Sequence, residues 1–142
     1  MVEETFKKCI DLANQFKKEC SAVIEEARGP CAIYFMEFIS NFLKMFQNGG
    51  ECYRIFREEA PKEEDLKKRM DILKNARTLC STAIESGKKA KDLIFNLEQN
   101  LCILTGIETH KRKIEEDIKK LEETREEIDK EIRKILWKLP PS

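Results

Sequence analysis

The sequence predicts an all-α protein: an up-down four-helix bundle whose long C-terminal helix extends as a coiled-coil arm. Three observations carry this expectation. Apolar residues recur at steps of three and four along nearly the whole chain; 38% of its 142 residues are charged, with only five Gly and four Pro; and a heptad fits the last third without interruption.

The first stripe runs through Val2, Phe6, Cys9, Ala13, Phe16, Cys20, Val23 and Ala27, one continuous face of a helix. Gly29-Pro30 is expected to reverse the chain, because Gly accepts the left-handed cap and Pro suits the first turn of the next helix. The second helix, from Pro30 to about Gln47, is the most apolar and carries Tyr34, Phe35, Phe38, Phe42 and Phe46. Its polar face is narrow, with Glu37, Asn41 and Lys44 together at helical spacing, so most of its circumference calls for cover. Asn48-Gly49-Gly50 is expected to stop it.

A short segment containing Cys52, Ile55 and Phe56 leads to Pro61, where Glu63, Glu64 and Asp65 place acids in the first turn of a third helix. That helix has Leu66, Met70, Leu73, Ala76, Cys80 and Ala83 on one face and is expected to close at Ser86-Gly87. From Lys88 to Pro140 the pattern is unbroken, which predicts roughly 75 Å of helix at 1.5 Å per residue. Its seam alternates Ala90, Leu97, Leu104, Lys111, Ile118, Arg125, Ile132 and Leu139 with Leu93, Asn100, Ile107, Ile114, Leu121, Ile128 and Ile135.

The stripe is wide up to Ile107 and narrow beyond it, so the chain divides into a bundle head, residues 1–107, and a charged arm, residues 108–139. Pairs such as Glu115/Lys119, Glu116/Lys120 and Glu126/Lys130 suit an exposed helix. A protruding seam needs a partner. The expected one is a second copy, giving a homodimer, or a partner helix, with Ile114, Ile118, Leu121, Ile128, Ile132, Ile135, Leu136 and Trp137 at the interface. The other arrangement is cover from within the chain, by the first helix or by the lead-in to the third.

Composition and motifs narrow the function to binding. The formal charge is zero and both signs are interleaved, so no face gathers the field that attracts nucleic acid. The N-terminus has early acids and no apolar core of a signal peptide, and Val2 excludes myristoylation, which together suggest a cytoplasmic chain. In that setting Cys9, Cys20, Cys31, Cys52, Cys80 and Cys102 are expected to be reduced thiols, at least Cys9, Cys20 and Cys80 lying in the apolar stripe.

No metal or cofactor is expected, since the chain has no Cys-x-x-Cys and His110 is its single histidine. His110 is also the one candidate base for a nucleophilic Cys. Ser86-Gly87-Lys88-Lys89 matches Ser-x-x-Lys in letters only, and Thr82 occupies the place of a phosphate loop's first Gly. No enzyme activity is therefore expected.

The aromatic second helix supports an alternative: a bundle that opens and inserts this helix into a bilayer. A helical head followed by a longer charged helix is similar in architecture to the bundle and brace of necroptotic executioner proteins and to helical pore-forming toxins. That resemblance implies membrane permeabilisation and rests on no signature residue.

Overall fold

A computed structural model of the chain describes residues 30–100, 102 and 107–139. Among these residues all regular structure is helical. Helix α1 spans Pro30–Arg54 and ends in a π-helical turn, Ile55–Glu59, followed by a 3-10 turn, Ala60–Lys62. Helix α2 spans Leu66–Gln99 and α3 spans Ile107–Lys138. The stripe of residues 2–27 and the Gly29 cap lie outside the described residues.

Helix α2 is the centre of the fold. Antiparallel to it on one side runs α1, placing Met45 against Gly87 and Gly49 against Ala83. On the other side α3 is also antiparallel, with Lys91 paired to Glu115 at 3.3 Å and Arg77 to Asp129 at 2.6 Å. Being antiparallel to the same helix, α1 and α3 are parallel to each other and meet only lightly. Phe38, Met45, Leu73, Ile94, Leu97, Ile114 and Ile128 are fully buried in the core they share. The aromatic face of α1 forms a ladder inside it, with ring centroids 6.3 Å apart for Phe35–Phe38, 5.7 Å for Phe38–Phe42 and 4.7 Å for Phe42–Phe46.

Three expected helix boundaries differ from the structure, for a common reason. The helix does not stop at Asn48-Gly49-Gly50 but continues to Arg54. Nor does the next one close at Ser86-Gly87, which lie in the interior of α2. Both glycines are packing positions rather than caps. A Cβ on Gly49 would stand 3.2 Å from a methyl of Leu121, and one on Gly87 would stand 2.7 Å from Met45 Sδ and 2.9 Å from Ile118 Cγ1. The helix-propensity cost of Gly, about 1 kcal/mol each, is offset by the close approach that the missing side chains allow.

The third difference is the largest. Instead of one rod from Lys88 to Pro140, the chain ends α2 at Gln99, with Asn100 as its C-cap, and begins α3 at Ile107. Residues 108–139 are therefore not an arm continuous with the preceding helix: they fold back along α2. The heptad runs in phase on both sides of this break, so each half offers the apolar stripe that the other requires. Starting α2 is Asp65, whose carboxylate accepts from the Lys67 and Lys68 amides at 2.9 and 3.2 Å, four residues after the expected Pro61.

The reduced state expected of the cysteines is corrected at two of them, because Cys31 and Cys102 form a disulfide. It ties the start of α1 to the connection between α2 and α3. Cys52 and Cys80 are free and buried. Cys9 and Cys20 lie outside the described residues.

Substituting Gly87→Val should force Met45 and Ile118 apart and lower the urea midpoint by the equivalent of about 2 kcal/mol. A midpoint at or above that of the parent would show that the α1–α2–α3 contact has room to spare.

Candidate interaction surface

The residues expected to meet a partner fall into two groups. Ile114, Ile118, Leu121, Ile128 and Ile135 are buried in the core of the single chain, and Ile132 is half-buried against it. This seam packs on α2 within the chain, with the lead-in touching α3 through Arg57 and Glu127; the first helix named as a possible cover lies outside the described residues. Leu136 and Trp137 remain outside. They are 55% and 89% exposed, the largest such surface on α3.

Helical spacing explains the division. Ile128, Ile132 and Ile135 step by three and four along the buried face, whereas Trp137 shares the opposite face with Lys130 and Arg133. The last turn of α3 thus presents an indole amid cationic side chains. Elsewhere Ile33, Met36 and Phe95 are more than half exposed, on α1 and α2.

Most charged and polar side chains of α3 face solvent, and a few reach across helix junctions. Arg125, at a core position of the heptad, reaches Ser81 Oγ at 3.4 Å. Burial pushes the Tyr53 hydroxyl of α1 above its ordinary pKa, a rise that Thr124 of α3 partly opposes. Arg54 bonds Glu51 and, at 2.6 Å, Glu59, which the π-helical turn brings within reach five residues on. That Arg54 bond holds the Glu51 carboxyl below the usual carboxylate range.

Among the described residues, Asp117 is the exception to satisfied buried polarity. Its Oδ1 accepts from Lys113 Nζ at 3.1 Å, while Oδ2 is buried with no hydrogen-bond partner. Burial raises its pKa, and the Lys113 ammonium only partly opposes the rise.

An open groove of about 510 Å³ lies where the turns after α1 meet the start of α2 and the end of α3. Phe56, Ala60, Pro61 and Leu73 supply apolar lining, and Arg57, Arg69, Glu127 and Glu131 supply both charges. The charges answer one another: Arg57 stands 3.9 Å from Glu127, and Arg69 Nε donates to the Glu63 carbonyl at 2.7 Å. A groove so balanced has no net field to select a ligand.

Among the described residues, no three His, Cys, Asp or Glu side chains converge as metal ligands. His110 lies at the start of α3 with its ring 6.0 Å from that of Phe42, an edge-on contact. No helix among the described residues is long and apolar enough to cross a membrane, and Phe35, Phe38, Phe42 and Phe46 are all in the core. Membrane insertion of α1 would have to dismantle that core. Sequence reasoning missed the disulfide, whose two cysteines are 71 residues apart with no spacing signal between them. No protein-family model, curated protein or solved structure matches the chain.

Two outcomes follow from this placement. Ile128→Asp puts an unpaired charge at a fully buried site, so it should unfold the chain, at a cost above about 3 kcal/mol. Circular dichroism showing native helix content and an unshifted denaturation midpoint would place Ile128 on a free surface instead. For Asp117, the folded state binds the carboxyl proton more tightly than the unfolded chain does, so the stability it contributes falls as pH rises through the carboxylate range. Asp117→Asn removes that slope, and the variant should gain on the parent between about pH 3 and pH 7 in paired urea titrations. A constant difference across that range would contradict the buried-carboxylate account.

Proposed function

We propose that the chain is a non-enzymatic protein-interaction module, with the last turn of α3 as its contact surface. The observation that carries this reading is the exposure of Trp137 at 89%, beside Leu136 at 55%, in a helix whose other large apolar residues from Ile114 onward are buried or half-buried. Exposed Trp is costly to leave in water and is the side chain most enriched among interface residues that dominate binding energy. The occupant it fits is a second copy of this chain or a partner helix that brings apolar side chains, and carboxylates to meet Lys130 and Arg133.

The same proposal covers the head of the molecule. Residues 2–27 supply a fourth amphipathic stripe, and a helix packed on α1 and α3, which touch each other only lightly, would complete an up-down four-helix bundle. The coiled-coil arm has no part in this reading. The Cys31–Cys102 disulfide favours an oxidising compartment over the cytoplasmic location expected from the sequence.

Trp137 is the only tryptophan, so its emission reports on this surface alone. Self-association should blue-shift that emission as protein concentration rises, in step with a doubling of mass in light scattering, and Leu136→Ser should weaken both at least tenfold. A monomeric mass with solvent-exposed emission at every concentration would eliminate the homodimer. Loss of partner binding in Trp137→Ala, with helix content unchanged, is the outcome expected if the contact is with another protein.

A further inference from the structure

We propose that Cys52 and Cys80 form a second disulfide, joining α1 to α2, when the chain folds in the presence of a low-molecular-weight disulfide such as glutathione disulfide. The two helices lie in a single antiparallel register. Four residues on from Met45 facing Gly87 comes Gly49 facing Ala83, and three residues further comes Cys52 facing Cys80. Their approach has the separation that a disulfide requires: a Cβ built on Gly49 stands 3.8 Å from the Ala83 Cβ, within the roughly 3.5–4.5 Å that bridged cysteines span.

At the next level both cysteines are wholly buried, close enough for each to shift the other's ionisation. Cys80 Sγ also donates to the Leu121 carbonyl at 2.9 Å, so the pair fills the space where α1, α2 and α3 meet. Along the same α1, Cys31 is already bridged to Cys102 just beyond the end of α2. The conditions that make the first bond are therefore the conditions in which the second pair would be oxidised.

The two thiols differ in reactivity. In the closed fold the neighbouring Cys52, and behind it the Arg125 charge, lower the pKa of Cys80 against the opposing effect of burial, while Cys80 and burial raise that of Cys52. Those shifts belong to the closed fold; while the chain is still folding either thiolate can begin the exchange, and the steps are the same whichever leads, as when the first is Cys80. Its sulfur attacks one sulfur of the small disulfide, the S–S bond breaks and one thiolate leaves to take up a proton. Cys52 then loses its proton and attacks the Cys80 sulfur of the mixed disulfide, expelling the second small thiolate. Two protein thiols are oxidised by two electrons, and one small disulfide is reduced to two thiols. Burial assigns the exchange to the folding chain, before α1 closes on α2, and shields the finished bond.

The test uses the whole chain, refolded in a glutathione redox buffer, alkylated in denaturant, digested with trypsin and mapped without reduction. A Cys52–Cys80 linked peptide in most molecules, alongside Cys31–Cys102, is the expected result. Full alkylation of Cys52 and Cys80 in molecules that carry the Cys31–Cys102 bridge would overturn the proposal, as would linkage of either residue to Cys9 or Cys20. Cys52→Ala adds a second readout. Its Tm should lie on the order of 5 to 10 °C below that of the oxidised parent, with the gap narrowing once both are reduced. An equal gap in the two redox states would show that Cys52 acts only through packing.

Discussion

The structure depends above all on the burial of the α3 seam against α2. Ile114, Ile118, Leu121, Ile128 and Ile135 all lie inside the core of one chain. At about 2 kcal/mol for each side chain removed from water, their burial is worth on the order of 10 kcal/mol. An uninterrupted rod would have kept a few more helical hydrogen bonds and left that seam wet. A connection between Gln99 and Ile107 costs little in comparison, since the entropy of closing a loop grows only slowly with its length.

Once α3 folds back, α2 must accept neighbours on two sides, and its small residues make that feasible. Ala76, Cys80, Ala83, Gly87 and Ala90 are all wholly or nearly wholly buried along it. Gly87 is the extreme case, with Met45 of α1 and Ile118 of α3 both inside the volume that a side chain would occupy. Large apolar groups from the outer helices thus reach across a thin central one, the interlocking that dense interiors require. The Cys31–Cys102 disulfide adds a covalent tie at the end where α1 begins.

This arrangement constrains function more than any single residue does. The isoleucine seam is closed to any partner unless the chain unfolds, which leaves only outward faces open to contact. Trp137 and Leu136 are the most exposed large apolar neighbours in α3, and the polar groups around them are solvated rather than convergent. Ion pairs such as Arg77–Asp129 and Lys91–Glu115 join partly exposed side chains and orient the helices more than they stabilise them.

Much of the fold was legible in local pattern. The three- and four-residue spacing marked the described segments as helical and picked out the aromatic ladder of α1 and the seam of α3, because amphipathic periodicity is a property of the chain alone, but it joined the end of α2 and all of α3 into one rod. Its reading of glycine failed: Gly49-Gly50 and Gly87 have the letters of helix ends, and only the positions of Leu121, Met45 and Ile118 reveal that Gly49 and Gly87 admit close neighbours. The seam's occupant was equally undetermined, since a heptad in phase across Asn100 and Gly106 serves a second chain or its own other half equally well. Which cysteines pair was also invisible, because neither Cys31 nor Cys102 marks its distant counterpart. Sequence by itself determined that the chain forms rods and which side of each is apolar; tertiary structure decided where those rods end and what they touch, because close packing and covalent pairing depend on residues far apart in the chain and near in space.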